Sequence, residues 1–233
     1  MSSWRRCLPI LFLVLASAGF APPAHAVTVT HRAVPIAQAR TLPLGTAVTV
    51  DGVATTPSGA FESSFFDTGF GLQDRSAGIY VSVAVDLGIA PRTRVQVTGT
   101  LRDSFGLRIL VPDGPAAVVV HGKSPAVRPR LLPTGAVGES SEGRLVRVIA
   151  TITRAPTPDP PYGAEFVVDD GSGELVIFVN TQTGIDLTGL AAGQTVGVTG
   201  FSSQFDTHYE IDPRFPADIT RHHRRLAKEG NKK

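Results

Sequence analysis

Cysteine is all but missing from these 233 residues: the only one is Cys7. It lies inside an amino-terminal stretch that reads as an export signal, so the mature chain is expected to contain none. A thiol nucleophile, a disulfide framework and a cysteine-based metal centre are thereby excluded together. Long apolar runs are also wanting. The run from Leu8 to Leu15 is too short and wrongly flanked for a permanent membrane span, and nothing later is long enough. No segment after the signal sustains a helical period, apart from a weak candidate at Pro35 to Arg40. The motifs of several chemistries fail as well. Gly138-Glu139-Ser140-Ser141-Glu142 lacks the final glycine of a nucleophile elbow, and there is neither an H-E-x-x-H pair nor a phosphate loop. His208 near Asp206 is the nearest approach to an acid–base pair, but closeness in sequence is not geometry. These absences point to a protein that is not an enzyme, with no cofactor and no metal site.

What is present begins with that signal. Arg5 and Arg6 give a positive start, Leu8 to Leu15 the apolar stretch, and Ala24-His25-Ala26 a small-residue cleavage site. Residues 1–26 are therefore expected to direct export, to the periplasm or the medium. Their removal takes two of the 22 Lys and Arg, leaving 20 against 20 acidic residues. That balance hides a split. Arg221 to Lys233 hold six bases and one acid, whereas Val27 to Thr220 hold 14 bases and 19 acids. The folded body is thus acidic by composition, which is not the usual bias of a protein that grips a phosphate backbone.

The remainder is organised around a segment that occurs twice. Val196 to Ile219, VGVTGFSSQFDTHYEIDPRFPADI, lies without a gap on Val95 to Val118, VQVTGTLRDSFGLRILVPDGPAAV. The spacing of about one hundred residues is far above that of solenoid repeats, so each copy is expected to be a small domain. In the first copy, β-branched and aromatic residues alternate in Thr46 to Val53, Phe70 to Asp74, Ile79 to Val83, Arg94 to Thr100 and Leu107 to Val111. In the second, the same order falls on Leu145 to Thr153, Glu165 to Val168, Glu174 to Val179, Val196 to Phe201 and Tyr209 to Ile211. Asp74 aligns with Asp170 and Ser76 with Ser172 in the turn between the second and third strands. One detail resists the alignment. Tyr209 and Ile211 fall on Arg108 and Leu110, whereas alternation in the first copy would bury Leu107, Ile109 and Val111. A one-residue slip turns over every side chain of a strand, so either one copy carries a bulge or the gapless alignment fails there.

Five short strands with a break after the third are the order of an OB-fold, a partly open Greek-key barrel. The expected architecture is all-β: two tandem five-stranded OB-fold Greek-key barrels after a cleaved signal peptide. The first barrel spans residues 36–122, a linker residues 127–141, the second barrel 142–221, and a basic disordered tail 222–233. The stretches IAQARTLPLGTAVTVDGVAT, EGRLVRVIATIT, VVDDGSGELVIFVN and YEIDPRFPADI resemble the tandem OB-fold modules of secreted bacterial proteins. Those modules often accompany extracellular nucleases or other cell-surface domains. The resemblance covers nearly all of Ile36 to Thr220 and implies a fold grouped with nucleic-acid-binding barrels. This chain carries no catalytic domain of the kind found in larger members, so the resemblance does not bring nuclease activity with it.

Ligands of OB-folds lie on the face of strands two and three, between the first–second and fourth–fifth loops. In the first copy these loops supply Phe61, Phe65 and Phe66, and Arg102 with Phe105; Tyr80 belongs to the third strand. Bases stack on exposed aromatic rings while arginine takes phosphate. The same phenylalanines would equally serve to plug a barrel end or to pack the two domains together. In the second copy the candidates are Tyr162, Phe178, Phe205 and His208, with Pro156, Pro158, Pro160 and Pro161 stiffening the first loop. Arg214 either meets phosphate or forms an ion pair with Asp218 that closes the barrel. Asp169 to Glu174 has oxygen ligands at short spacing but lacks the full calcium loop, and hairpin turns favour these residues. His222 and His223 sit in the basic tail without a preorganised metal site. The function expected is non-catalytic binding of an extended ligand, foremost single-stranded nucleic acid. A cell-surface adaptor for protein or oligosaccharide is the alternative, and a nuclease built on the barrel a minor one. The sequence is silent on oligomeric state.

Overall fold

A computed structural model describes residues 32–63 and 66–222 of the chain. The expected signal segment, Phe65 and His223 onward lie outside the described residues. After the short helix α1 (Ile36–Arg40) come β1 (Ala47–Ala54), β2 (Phe70–Gln73), β3 (Gly78–Val81), β4 (Thr93–Ser104) and β5 (Leu107–Val111). β1 pairs with β2, β2 with β3, β3 with β5 in parallel, β5 with β4, and β4 returns to β1 over seven residue pairs. That ring is the OB order. β6 (Val118–Lys123) adds itself to β4 across a bulge between Arg94 and Val95.

The second sheet contains β7 (Arg130–Leu131), β8 (Leu145–Asp159), β9 (Gly163–Asp169), β10 (Leu175–Asn180), β11 (Thr195–Phe205), β12 (His208–Asp212) and β13 (Ile219–His222). Its pairings repeat the ring: β8 with β9, β9 with β10, β10 with β12 in parallel, β12 with β11, and β11 back to β8. β13 lies on β11, and β7 runs parallel to β8. The fold is thus all-β and OB-like. Three features depart from the sequence reading. β7 forms within the expected linker, β13 carries strand pairing to His222 where the tail was placed, and most of the expected proline-rich loop is strand. Pro156 and Pro158 lie in the outer arm of β8, whose register shifts between Ile152 and Arg154 and again between Arg154 and Thr157, and Pro160 and Pro161 form the turn into β9. Bulged strand is where proline is tolerated, because its missing N–H breaks no ladder bond.

Each ring closes on an apolar lumen. Val50, Phe70, Ile79, Val97, Leu101 and Leu110 are among those filling the first, and Val148, Ile152, Phe166, Ile177, Val198 and Ile211 the second. A third cluster, Ala60, Phe61, Tyr80, Leu107, Ile109 and Phe201, lies between them. It resolves the conflict over the last strand. Leu110 and Ile211 both face a lumen, as the gapless alignment requires. Leu107, Ile109 and Val111 belong to the middle cluster, because β5 is buried on both faces. No bulge is needed.

The aligned turn residues do equivalent work in the two copies. Asp74 Oδ1 accepts the N–H groups of Ser76 and Ala77 at 2.7 and 2.8 Å, while its Oδ2 takes the N–H of Ile36 at 2.9 Å. Asp170 Oδ1 accepts the N–H of Ser172 at 3.0 Å, and its Oδ2 the N–H of Thr134 at 3.2 Å. Each hairpin thereby satisfies the open N–H groups of the turn or helix that precedes its barrel. Hydrogen bonds from Ser172 and Thr134 hold the Asp170 carboxyl down at about 2. Turn chemistry, rather than a calcium loop, accounts for these acids.

Polar ties surround the middle cluster. Leu145 N–H donates to Gln73 Oε1 at 2.8 Å, and Arg144 to the Ser76 carbonyl. Arg40 reaches Glu139 and Glu142 at 2.8 and 2.9 Å. Gly78 and Gly143 approach so closely, backbone on backbone, that neither has room for a Cβ. Arg214 pairs with both carboxylate oxygens of Asp218 at 2.9 Å and donates Nη1 to the Thr55 carbonyl at 2.6 Å. It therefore closes the second barrel and links it to the first. Arg214→Met leaves a nearly buried carboxylate unpaired, so a loss of about 3 kcal/mol is expected in urea unfolding. A loss no larger than that of an exposed Arg→Met control would contradict this role.

Candidate functional site

The structure sorts the sequence candidates into two groups. Phe61 and Tyr80 are only 3% and 2% exposed and pack on Phe201, with ring centroids 6.0 Å away in each case. The Tyr80 hydroxyl lies 2.7 Å from Asp67 Oδ1, a carboxylate that also accepts from Ser63 and Ser82. Burial, and then Asp67, push the Tyr80 phenol well above the usual tyrosine range. These two residues are packing groups rather than a stacking platform, because an aromatic face covered by another ring presents nothing to a ligand. Arg214 is likewise committed to Asp218 and Thr55, and it is not a free phosphate contact. The remaining candidates are accessible. Phe66, Phe105, Phe205 and Tyr162 are exposed, Arg102 is exposed on β4, and Phe178 is half-buried on β10.

Local turn geometry puts Phe105 outside. Phe105-Gly106 is the two-residue connection between β4 and β5, with φ of 49° and 92°. Two positive φ values mark the turn whose twist matches a hairpin, and glycine accepts the second without strain. The left-handed first position carries Phe105 to the tip, away from either lumen. In the corresponding hairpin of the second barrel, Asp206 takes φ 53° beside Phe205.

These two hairpin tips, about one hundred residues apart in sequence, meet. Gly106 and Phe205 form an antiparallel bridge, and Asp206 N–H donates to the Phe105 carbonyl at 2.6 Å. The Phe105 and Phe205 rings stand 5.1 Å apart at 48°, and the His208 ring lies 6.0 Å from Phe205. The result is an exposed aromatic cluster built jointly by both barrels. Sequence reading named all three residues but not their convergence, which depends on how the barrels dock.

The cluster borders the outer face of β9 and β10. Strand alternation puts Glu165, Val167, Val176 and Phe178 on that face, opposite the lumen residues Phe166 and Ile177. At one end a cleft of about 330 Å³ is lined by Arg154, Val167, Glu174, Val176, His208 and the Thr134–Val137 turn, among others. Arg154 and Glu174 approach to 3.9 Å across its rim. At the other end Thr181 N–H donates to the Tyr162 carbonyl at 2.9 Å, and Gln182 to Glu62 of the first barrel at 2.7 Å. Arg154 and Val176 were missed by sequence reading. Arg154 stood in an expected loop, and an apolar residue within a strand gives no sign of which neighbours flank it.

His208 Nε2 is 3.5 Å from Glu210, and that carboxylate holds the imidazole above its usual range. Two residues along the same face, Asp212 is buried, and Oδ1 finds no hydrogen-bond partner among the described residues. Burial, then Glu210, raise its carboxyl well above the ordinary value, while Ser203 partly opposes them. Chemically the face offers flat apolar rings, a switchable cation and one exposed arginine pair. Among the described residues no group of three or more His, Asp or Glu is placed to hold a metal ion. No helix of the described residues is long and apolar enough to cross a membrane.

No protein-family model matches the chain. Over 183 residues it is 27% identical to Endonuclease YhcR of Bacillus subtilis (strain 168), an alignment covering 74% of this chain and 14% of that protein. Among solved structures it is similar to a murine DNA binding protein bound with double-stranded DNA (TM-score 0.40, 11% identity, 77% of this chain and 98% of that one). The tetrameric p202 HIN2 (0.36, 13%, 76% and 94%) and the single-stranded DNA binding protein from Thermus aquaticus (0.29, 14%, 81% and 98%) are also similar. At these TM-scores the likenesses carry no argument about ligand.

A carboxyl whose folded value is raised favours the protonated native state. Its stabilising contribution is full below the unfolded value near about 3.9 and is lost as pH rises through the folded value. Asp212→Asn removes that loss. The variant is expected to melt higher than the parent at pH 7.5, with the difference shrinking towards pH 4.5 in thermal unfolding. A variant that melts lower than the parent at every pH would refute the assignment.

Proposed function

We propose that the chain is an exported, non-catalytic protein of two tandem OB-like barrels that binds single-stranded nucleic acid across the joined hairpin tips and the β9–β10 face. The observation that carries this reading is the Phe105–Phe205 pair, exposed and 5.1 Å apart beside His208. Rings at a surface recognise bases by stacking, and a base can reach them only when it is unpaired. The β9–β10 face continues that surface with Val176 and Phe178, in the place where OB barrels take extended ligands. The alignment with a protein named an endonuclease agrees with a nucleic-acid partner. It spans 14% of that protein, so the non-catalytic part of the reading is kept. Export rests on the sequence signal at residues 1–26.

Charge decides what kind of binding this is. Glu165, Glu174 and Glu210 line or border the face, so few phosphates can be neutralised there. Stacking should dominate, with a shallow salt dependence. Fluorescence anisotropy with labelled oligothymidylate, on protein with and without residues 223–233, provides the test. Phe105→Ala and Phe205→Ala are each expected to weaken binding about 5- to 150-fold, the equivalent of about 1–3 kcal/mol per lost stack. Affinity should rise as pH falls through the raised His208 value, because the imidazolium then faces phosphate, and His208→Gln should flatten that rise. No binding by either form at low salt ends the reading, and binding lost with residues 223–233 reduces it to unspecific electrostatics. Cleavage of DNA with divalent metal, abolished by chelator, would overturn the non-catalytic assignment.

A further inference from the structure

Resting on that single-strand reading, we infer that the chain offers a strand one groove rather than two, because the first barrel's equivalent face is closed by the second barrel. The pairing places Gly71 opposite Tyr80 and Tyr80 beside Ile109 on the outer face of β2, β3 and β5. Phe201 of β11 sits on that face. A Cβ at Gly71 would lie 2.8 Å from the Phe201 ring and 2.8 Å from Thr55 Oγ1, so the glycine is the hollow that receives the ring. Phe61 and Tyr80 flank Phe201 with centroids 6.0 Å away, a side chain standing where a stacked base would stand.

The second barrel differs at each corresponding position of the alignment. Val167 replaces Gly71, Val176 replaces Tyr80, and His208 and Glu210 replace Leu107 and Ile109. Val176 and Phe178 remain partly exposed, while Val167 beside them is buried. The first barrel instead contributes to the rim of the second groove, through Phe105 at one tip and Glu62 bound to Gln182 at the other. The two barrels therefore have unequal roles: one forms the groove, and the other holds it and completes its edge.

The test uses the purified protein with oligothymidylates in which single bases are replaced by 5-iodouracil. Photocrosslinks are expected in β9, β10 and the two hairpin tips, at one strand per chain by native mass spectrometry. A crosslink on Phe61 or Tyr80, or a second strand mapped to the first barrel, overturns the inference. Closure of the first face is also read without ligand, by nitration with tetranitromethane. Tyr80 should react at least tenfold more slowly than Tyr162, and Phe201→Ala should remove most of that difference. Equal rates in the parent protein overturn the inference whether or not Phe201→Ala folds. Protection of Tyr80 with no crosslink anywhere refutes the single-strand reading and shows that the face is closed for another reason.

Discussion

The seating of Phe201 over Gly71 is the contact on which the arrangement of the barrels depends. A phenylalanine buried to 1% exposure contributes about 1.5–3 kcal/mol relative to leaving it in water, and it does so only because β2 has no side chain at that point. Tyr80 and Asp67 are arranged to permit it. Tyr80 must bury its hydroxyl to flank the ring, and a buried phenol needs an acceptor. Asp67 supplies one at 2.7 Å. The carboxylate is in turn satisfied by Ser63, Ser82 and the N–H of Gly69. Around this centre, Arg214, Gln73, Arg144 and Arg40 tie backbone and carboxylates from one barrel to the other. An apolar centre with a polar rim is the anatomy of a lasting interface rather than of a flexible tether.

That contact fixes the register of the hairpins as well. With Phe201 seated, β11 packs on the outer face of β5, and the tip of the β11–β12 hairpin arrives at the tip of β4–β5. Gly106 and Phe205 then bridge. The exposed aromatic pair is thus a consequence of a buried one, four residues further along the same strand. Sequence divergence between the copies follows the same division. Where Leu107, Ile109 and Val111 meet the neighbouring barrel, the alignment puts His208, Glu210 and Asp212, the side chains that give the second barrel its polar, titratable edge.

Much of this was legible in the sequence, for reasons that can be stated. Ten barrel strands fell where alternation of β-branched residues placed them, since local pleat geometry has a period that needs no knowledge of the partner. The Asp74–Asp170 and Ser76–Ser172 correspondence was visible because a turn is a local structure. What was not legible depends on docking. Leu107 to Val111 announced burial but not against which body, because a strand covered on both faces loses its alternation. Phe61 and Phe105 look alike as loop phenylalanines, yet one is covered by Phe201 and the other stands in water. The proline-rich stretch read as a loop because its residues are turn formers; bulges in β8 accommodate Pro156 and Pro158 within strand pairing, and only Pro160 and Pro161 are in the turn.

The acidic body is the strongest physical objection to the proposed nucleic-acid ligand, and it weighs differently on a duplex and on a single strand. Duplex DNA carries one charge per about 1.7 Å of axis, so a duplex laid on the β9–β10 face would press phosphates against Glu165 and Glu174. A single strand can turn its bases inward and hold its phosphates towards solvent, with contact confined to stacking and to His208. The charge of the imidazole then matters more than the net charge of the protein, because it is adjacent to the ring on which a base would lie. Glu210 has two effects on that group. It stabilises the imidazolium, and at the same time neutralises part of its field, so the attraction felt by a phosphate is short in range. On the proposed single-strand reading, a surface of this kind would select for unpaired bases by shape and leave long-range steering to charges elsewhere on the chain.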